Sequence, residues 1–323
     1  MVKKRRIGSL EVSVIGLGCN NFGTGFFGTN VDAAGARRII DTALDAGVNF
    51  LDTAEEYSSR TTFSDGQSEQ FIGEALKGRR NEVVIASKFG LESVDHPGER
   101  GARRIMRAVE GSLRRLGTDR IDLYQQHFPD PQTPIDETLE ALDRLVRDGK
   151  VVEIGCSNFS AELIDEAERA SAAAGTSRFV SVQNRYNLLD DPVQPGSIEA
   201  MQSHGLMLLP FFPLASGLLT GKYRKGDTHP KGTRFGADTF VTNYIRDEQL
   251  TDARIEKVEK LRAFAEERGH SILELAFSWL ASQPFVGSVI AGATSPEQVR
   301  ANVAAAGWEL TADDFAAVEA IRR

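Results

Sequence analysis

The sequence predicts an α/β protein built as a single closed (β/α)8 barrel of the TIM type over residues 1–323. Short runs rich in β-branched residues alternate with amphipathic stretches from the first strand to the end of the chain. Eight such runs occur, and no linker rich in Pro, Gly or Ser divides the 323 residues. This alternation in one undivided chain favours a parallel barrel over an open sheet with a second domain.

The predicted elements follow one another in a regular order after an initial hairpin. Arg6–Val14 alternates polar and apolar residues around Gly8-Ser9, which predicts a small N-terminal β-hairpin. The predicted barrel strands are Val14–Leu17, Asn49–Thr53, Val83–Ser87, Ile121–Gln126, Val151–Cys156, Phe179–Gln183, Met207–Phe212 and Val286–Ala291. The predicted helices are Asp32–Ala46, Ser68–Lys77, Arg100–Leu116, Pro134–Asp148, Ala161–Ala174, Asp191–Ser203, Thr251–Arg268, Ser271–Ser282, Pro296–Ala305 and a C-terminal helix at Ala312–Arg322.

Glycine and proline support several of these boundaries. Gly47, Gly149 and Gly205 each stand between a predicted helix and the next strand, where a left-handed residue ends a helix at low cost. Pro134 and Pro296 fall in the first turn of their helices, where a missing N–H costs nothing. Ala215–Asp247 is the one long irregular segment, and a loop of that length in a compact domain is usually functional.

Composition excludes several classes of partner. A net charge of −8 and a pI near 5.3 argue against a nucleic-acid partner and against an anionic membrane surface. Two cysteines, Cys19 and Cys156, provide no disulfide framework and fit a reducing compartment. The basic start has no unbroken apolar run after it, so we expect no signal peptide, no membrane span and a cytoplasmic protein.

Polar side chains follow several neighbouring predicted strands where each strand ends. Asp52 and Tyr57 follow the second strand, Lys88 the third and His127 the fourth. Each has an ordinary structural explanation: Asp52 as a helix cap, Tyr57 as a loop aromatic, Lys88 as a solvated strand end and His127 as a core or rim histidine. Because the carboxyl ends of barrel strands meet at one rim, we expect all four to converge into a proton-transfer group.

Seven motifs along the chain together resemble the aldo-keto reductase superfamily, particularly its bacterial branches related to the potassium-channel β subunits. They are NFLDTAEEY, IASKFG, DLYQQHFPDP, GCSNF, VQNRYN, PLASGLLTGKY and IAGATSPEQVRAN, in the family's order. The resemblance implies a (β/α)8 barrel that binds a nicotinamide dinucleotide in extended form. It also implies that the glycine-rich Rossmann fingerprint is absent, and no G-x-G-x-x-G follows the first predicted strand.

By position, the resemblance implies a catalytic tetrad of Asp52, Tyr57, Lys88 and His127. Hydride would pass from NADPH to an aldehyde or ketone, reversibly, while Tyr57 gives a proton to the oxygen. A phenol has a pKa of about 10, so Lys88 would stabilise the phenolate and ease proton exchange near neutrality. Asp52 would hold Lys88 charged, and His127 would hydrogen-bond the substrate oxygen.

The resemblance also implies a set of residues that contact the cofactor. Ser157, Asn158 and Gln183 would hydrogen-bond the carboxamide of the nicotinamide. The segment after the seventh strand would lie along the pyrophosphate, and residues at the end of the eighth strand would contact the adenosine. Phe211 stands where the family usually has Tyr or Trp against the nicotinamide. The full set is Asp52, Ser157, Asn158, Gln183, Phe211, Pro213, Leu214, Ser216, Gly217, Lys222, Arg234, Gly292, Thr294, Gln298 and Asn302.

Alternatives of three kinds remain open at this point. The cofactor can be NADH instead of NADPH, because Gly292, Thr294 and Gln298 stand where many relatives carry Arg or Lys near the 2′-phosphate. Arg300 lies nearby, but it can equally be a solvated residue on the helix surface. A nucleotide-sensing subunit of the channel-β type would transfer hydride slowly, although His127 favours an enzyme. A metal-dependent barrel hydrolase would need clustered His and Asp ligands, which five histidines with one at a predicted strand end do not supply.

The substrate pocket is expected to be walled by Asn20–Gly28, Phe128–Pro131 and the Ala215–Asp247 loop. Phe22, Phe26 and Phe27 suggest an apolar mouth, or else they anchor this loop to the barrel. Aldehydes and ketones, including aromatic and sugar-derived ones, fit these walls equally well.

Overall fold

The computed structural model describes residues 2–24, 30–57, 66–90, 98–191, 195–223 and 249–323. In these ranges the strands are β1 (Lys4–Ile7), β2 (Leu10–Ser13), β3 (Ile15–Gly18), β4 (Gly23–Thr24), β5 (Asn30–Val31), β6 (Phe50–Asp52), β7 (Val84–Phe89), β8 (Ile121–Gln126), β9 (Val151–Ser157), β10 (Phe179–Gln183), β11 (Met207–Leu208) and β12 (Val289–Gly292). The α-helices there are α1 (Ala33–Asp45), α2 (Gln67–Ala75), α3 (Gly101–Leu116), α4 (Ile135–Arg147), α5 (Ala161–Ala174), α6 (Ser197–Ser203), α7 (Asp252–Glu266), α8 (Ile272–Ser282), α9 (Pro296–Ala304) and α10 (Ala312–Arg322).

Eight strands form one parallel sheet that curls into a barrel, as the sequence predicts. Its order is β11-β10-β9-β8-β7-β6-β3-β12, and every pair of neighbours is parallel. Hydrogen bonds from Leu208 N to Phe285 O, at 2.7 Å, and from Gly287 N to Leu208 O, at 2.8 Å, join its two edges. Helices α1 to α6 contact one another in sequence around the outside, and α9 contacts α1. All strand carboxyl ends therefore face one rim.

The predicted hairpin is formed by β1 and β2, which pair antiparallel around Gly8. Gly8 has a φ of +56°, a left-handed conformation that suits glycine in this tight turn. Ile7, Leu10 and Val12 pack with Phe50, which lies two residues before Asp52 on β6. The hairpin therefore fills the barrel interior beneath the polar residues of the rim.

Most predicted boundaries lie within two residues of the observed ones. The eighth predicted strand begins at Val286, but β12 begins at Val289, and Val286 forms only an isolated bridge with Leu208 among the described residues. Gly47, Gly149 and Gly205 all adopt positive φ, as predicted for residues that follow helices. The seventh strand was expected to reach Phe212 but ends at Leu208, because Pro210 has no N–H to donate to a neighbouring strand. The helix predicted from Asp191 begins at Ser197; residues 192–194 lie outside the described ranges.

The outer helices complete the structure. The predicted C-terminal helix is α10, with the predicted bounds, and it packs against α7. Its capping box joins Thr311 and Asp314, which fixes where the helix begins. None of the helices in the described ranges is long and apolar enough to cross a bilayer.

Candidate active site

Lys88 lies at the centre of the rim, near the carboxyl end of β7, and its side chain is 0% exposed. Its Nζ donates hydrogen bonds to both carboxylate oxygens of Asp52 and to the Thr53 carbonyl oxygen, each at 2.8 Å. Burial favours a lower pKa for Lys88, but the nearby Asp52 carboxylate and Tyr57 hydroxyl outweigh it and raise the pKa above the usual lysine value. The ammonium therefore stays charged at neutral pH.

Tyr57 follows β6 in a short loop that returns its hydroxyl to Lys88. The Tyr57 Oη lies 3.3 Å from Lys88 Nζ, and the ammonium is 5.0 Å from the centre of the ring. Burial raises the pKa of Tyr57 to about 12, Lys88 opposes this rise, and the charges of Asp52 and Glu56 add to it. Lys88 thus acts in the expected direction, but the effect of burial is larger. The phenol keeps its proton at neutral pH.

His127 directly follows β8, and its ring lies edge-on to Tyr57 with the ring centres 5.8 Å apart. A Glu56 carboxylate oxygen lies 2.6 Å from the buried Nδ1 of His127, too oblique for a well-formed hydrogen bond. The sequence did not single out Glu56, because nothing local links it to a residue of another strand. Phe128 stacks on His127 at 4.5 Å and is 41% exposed, which agrees with its predicted place on a pocket wall.

Three further predicted residues lie beside the tetrad at the carboxyl ends of β9 and β10. Gln183 Nε2 donates to Asp52 Oδ1 at 2.8 Å, and Ser157 Oγ donates to the Gln183 carbonyl at 2.8 Å. Asn158 Nδ2 donates to the His127 carbonyl at 3.0 Å. Asn158 has a φ of +62°, a strained backbone conformation of the kind that concentrates at functional sites. The structure thus joins these three side chains to the tetrad in one hydrogen-bonded group.

A buried ion pair behind the strands holds the loop that carries Tyr57. The carboxylate of Glu55 accepts hydrogen bonds from the Arg104 guanidinium of α3 and, at 2.7 Å, from Gly90 N. Burial raises the pKa of Glu55, while Arg104 and the Gly90 N–H oppose that rise. The sequence did not reveal this pair, because Arg104 reaches Glu55 through the packing of α3 on the barrel.

The predicted pyrophosphate segment follows β11 as a sharply turned loop. Phe211 pairs with Arg185 through a single bridge, so its ring stands next to the end of β10 and is partly exposed. Ala215, Ser216 and Gly217 all have positive φ, which turns successive N–H groups away from the usual helical direction. Pro213 is buried, Leu214 is half-buried and Lys222 is exposed. Arg234 lies outside the described residues.

The predicted adenosine site lies where β12 passes into α9. Gly292 and Gln298 are exposed, Thr294 is half-buried and Asn302 is buried. Gln298 Oε1 accepts from both the backbone N–H and the hydroxyl of Thr294, at 2.8 and 3.2 Å. Arg300 is exposed and lies 3.8 Å from a Glu297 oxygen, so it is a surface residue of this helix.

Of the two explanations for the loop phenylalanines, the structure supports the anchor for Phe22. Phe22 is 0% exposed and belongs to the hydrophobic core, so it anchors its loop and does not line the mouth. Phe26 and Phe27 lie outside the described residues.

The rim holds a phenol beside a buried ammonium, an imidazole whose ring centre lies 5.8 Å from that of the phenol, and amide side chains that donate to Asp52 and to the His127 carbonyl. Such a group can donate a proton to an oxygen atom while it holds a neutral polar ligand beside it.

Comparisons with known proteins agree with this geometry. The family model described as "Aldo/keto reductase family" matches residues 14–323. Aldo-keto reductase YhdN of Bacillus subtilis (strain 168) is 34% identical over 94% of this chain and 88% of its own length. A probable voltage-gated potassium channel subunit beta of Oryza sativa subsp. japonica is 34% identical over 86% of this chain and 84% of its own length. L-glyceraldehyde 3-phosphate reductase of Escherichia coli (strain K12) is 30% identical over 92% of this chain and 84% of its own length.

Proposed function

The chain belongs to the aldo/keto reductase family and is an oxidoreductase, and we propose that it transfers hydride reversibly between NADPH and an aldehyde or ketone. The observation that carries this proposal is the position of Lys88. Its ammonium is fully buried, paired with Asp52, and 3.3 Å from the Tyr57 hydroxyl. Burying an ammonium is costly unless it is paired and hydrogen-bonded, so a lysine held in this way against a phenol points to proton chemistry.

Tyr57 is the proton donor in this proposal. With a pKa raised to about 12, the hydroxyl carries its proton throughout the neutral range. When the proton leaves, the phenolate that remains is stabilised by the ammonium of Lys88, which Asp52 keeps in place. The same high pKa means that at neutral pH only a small fraction of the protein holds the phenolate that alcohol oxidation requires.

The residues of the rim fit a nicotinamide dinucleotide. Asn158 and Gln183 carry amide groups that can pair with a carboxamide, and Phe211 offers a partly exposed ring face for stacking. The turned backbone at Ala215–Gly217 suits a phosphate chain. When bound, the reduced nicotinamide supplies hydride to the carbonyl carbon. His127 then orients the carbonyl oxygen toward the Tyr57 hydroxyl.

The preference for NADPH rests on a single cation. Arg300 is the only basic residue between residues 289 and 304. It is exposed and only loosely paired, so its guanidinium can turn to a 2′-phosphate without breaking a strong contact. The substrate class rests on Phe128, whose exposed ring beside His127 favours aldehydes with an aromatic or apolar group.

A second candidate is a nucleotide-sensing subunit in which hydride transfer is slow. The likeness to a rice protein named as a potassium channel subunit beta supports it. Both functions require nucleotide binding, and they differ in whether the protein turns over repeatedly. The imidazole of His127 beside the Tyr57 ring favours the enzyme.

The test is steady-state oxidation of NADPH, with NADH in parallel, against an aromatic aldehyde. We expect repeated turnover, a preference for NADPH that falls in Arg300→Ala, and loss of turnover in Tyr57→Phe with nucleotide binding retained. Tyr124→Phe is the matched control, because it removes a buried hydroxyl that makes no hydrogen bond to the described residues. Tight nucleotide binding without turnover across a panel of carbonyls would support the sensing subunit.

A further inference from the structure

Glu56 stands directly before Tyr57, and its carboxylate lies between two residues from neighbouring strand ends. One oxygen, Oε2, is 2.6 Å from His127 Nδ1. The other, Oε1, rests against Gly90, where an added Cβ would fall 1.7 Å away. The Glu56 side chain is 17% exposed, so the carboxylate is held in place yet keeps some solvation. The carboxylate therefore lies beside Nδ1, a ring nitrogen that is buried from water.

The two ring nitrogens of His127 have different surroundings. Nδ1 is buried and makes no hydrogen bond to another described residue, whereas Nε2 is not among the buried unpartnered atoms. The hydrogen bond that one nitrogen makes decides which of the two carries the hydrogen. An ionised carboxylate can only accept, so the carboxylate beside Nδ1 favours a hydrogen on that nitrogen.

We infer that Glu56 is a positioning residue that keeps a hydrogen on Nδ1 of His127 and so presents Nε2 to the reacting oxygen in a fixed orientation. This role rests on the proposed function, in which His127 contacts the substrate oxygen. In the protonated ring, Nε2 donates to the carbonyl oxygen while Glu56 balances the added charge.

Gly90 provides a way to move this carboxylate without changing an ionisable group. Its φ is not positive, so alanine is compatible with the backbone there, and the atoms that a Cβ would meet belong to the flexible end of Glu56. Gly90→Ala should therefore push the carboxylate away from His127 and reproduce the effect of Glu56→Ala. Glu56→Gln keeps an oxygen that accepts a hydrogen bond and should preserve the arrangement.

The first experiment measures the tautomer of His127 and does not depend on turnover. The protein, labelled with ¹⁵N-histidine, is studied by two-dimensional proton–nitrogen NMR at alkaline pH, and His127→Asn identifies the signal among five histidines. We expect the hydrogen on Nδ1 in the unmodified protein and in Glu56→Gln, and on Nε2 in Glu56→Ala and Gly90→Ala. A hydrogen on Nε2 in the unmodified protein, or the same spectrum in Glu56→Ala, would overturn the inference.

The second experiment measures kinetics in the same variants. Glu56→Ala and Gly90→Ala should lower kcat/KM for the aldehyde about tenfold, because the protonated ring that donates from Nε2 to the carbonyl oxygen loses its neighbouring carboxylate; loss of a residue that orients a metal-bound histidine has an effect of about this size. The Kd for NADPH should stay the same, and Glu56→Gln should remain within about threefold of the unmodified protein. Glu309→Ala, which removes an exposed carboxylate paired with Lys3 at the surface, is the matched control. Unchanged kcat/KM in both alanine variants contradicts the inference. If no variant turns over, the proposed function fails, and the NMR result still decides the position of the hydrogen.

Discussion

Lys88→Met tests how strongly the site depends on its buried ion pair. Methionine keeps the length and the apolar stem of the side chain but removes the ammonium that donates to Asp52 and to the Thr53 carbonyl. Asp52, 2% exposed, is then left with the Gln183 amide as its remaining side-chain donor in the described part of the chain. A buried carboxylate without a cation either stays charged, at the free-energy cost of its lost hydration, or takes up a proton.

Lys88→Met should lower the free energy of unfolding. Removing one partner of a buried ion pair costs about 3–5 kcal/mol. The entropy of unfolding is about 2.1 cal/mol/K per residue, so for 323 residues this loss lowers Tm by about 4–7 °C. Asp52→Asn combined with Lys88→Met removes the unpaired charge, so the double variant should recover more than half of the lost stability.

The assay is thermal and urea unfolding of the unmodified protein, both single variants and the double variant at pH 7, followed by circular dichroism and by tryptophan fluorescence. Coincident transitions with the two probes establish that the free energies can be compared. A loss below about 1 kcal/mol in Lys88→Met would refute the reasoning, because a buried pair that is broken must cost more than an exposed one. A double variant less stable than Lys88→Met would also refute it.

Three further predictions follow from other contacts. Alcohol oxidation should speed up about tenfold for each pH unit between neutrality and pH 9, because it needs ionised Tyr57 and burial raises that pKa to about 12; initial rates with an alcohol and NADP⁺ measure this. Phe128→Ala should raise KM for an aromatic aldehyde about 2- to 12-fold in steady-state assays. Tyr124→Phe should increase stability in urea unfolding by about 1 kcal/mol, because its buried hydroxyl has no partner among the described residues.

Each of these predictions has a clear contrary outcome. An oxidation rate that levels off below pH 8 would mean that a group other than Tyr57 accepts the proton. For Phe128, an equal rise of KM with a small aliphatic aldehyde would argue against stacking; Val152→Ala, an exposed apolar residue near the amino end of β9, is the control. For Tyr124, a loss of more than about 1 kcal/mol would show that the hydroxyl is hydrogen-bonded after all.

Much of the fold could be predicted because its signals are local. The bounds of β8, β10, α5 and α10 agree residue for residue with the prediction, since hydrophobic period and capping residues act within a few positions. The convergence of Asp52, Tyr57, Lys88 and His127 was also predictable, because parallel barrel strands bring their carboxyl ends to one rim. The shorter β11 was missed, although Pro210 was a visible local reason for it.

Other features of the site depend on contacts that no local pattern encodes. The burial of Phe22, which decides between a place at the mouth and an anchor for its loop, depends on how that loop packs against the core. The Glu55–Arg104 pair depends on the position of α3. The pKa of Tyr57 depends on the balance between burial and Lys88, and residue types alone give only the sign of each effect.

The sequence by itself determined the order of strands and helices, the residues at each strand end and the family to which they belong, because periodicity, capping and motif spacing are properties of the chain. Only the tertiary structure decided which atoms meet at the rim: that Lys88 is fully buried, that its ammonium contacts Tyr57, and that Glu56 lies against His127. The physical reason is that burial and electrostatic interaction depend on distance in space, which the fold sets between residues far apart in the chain.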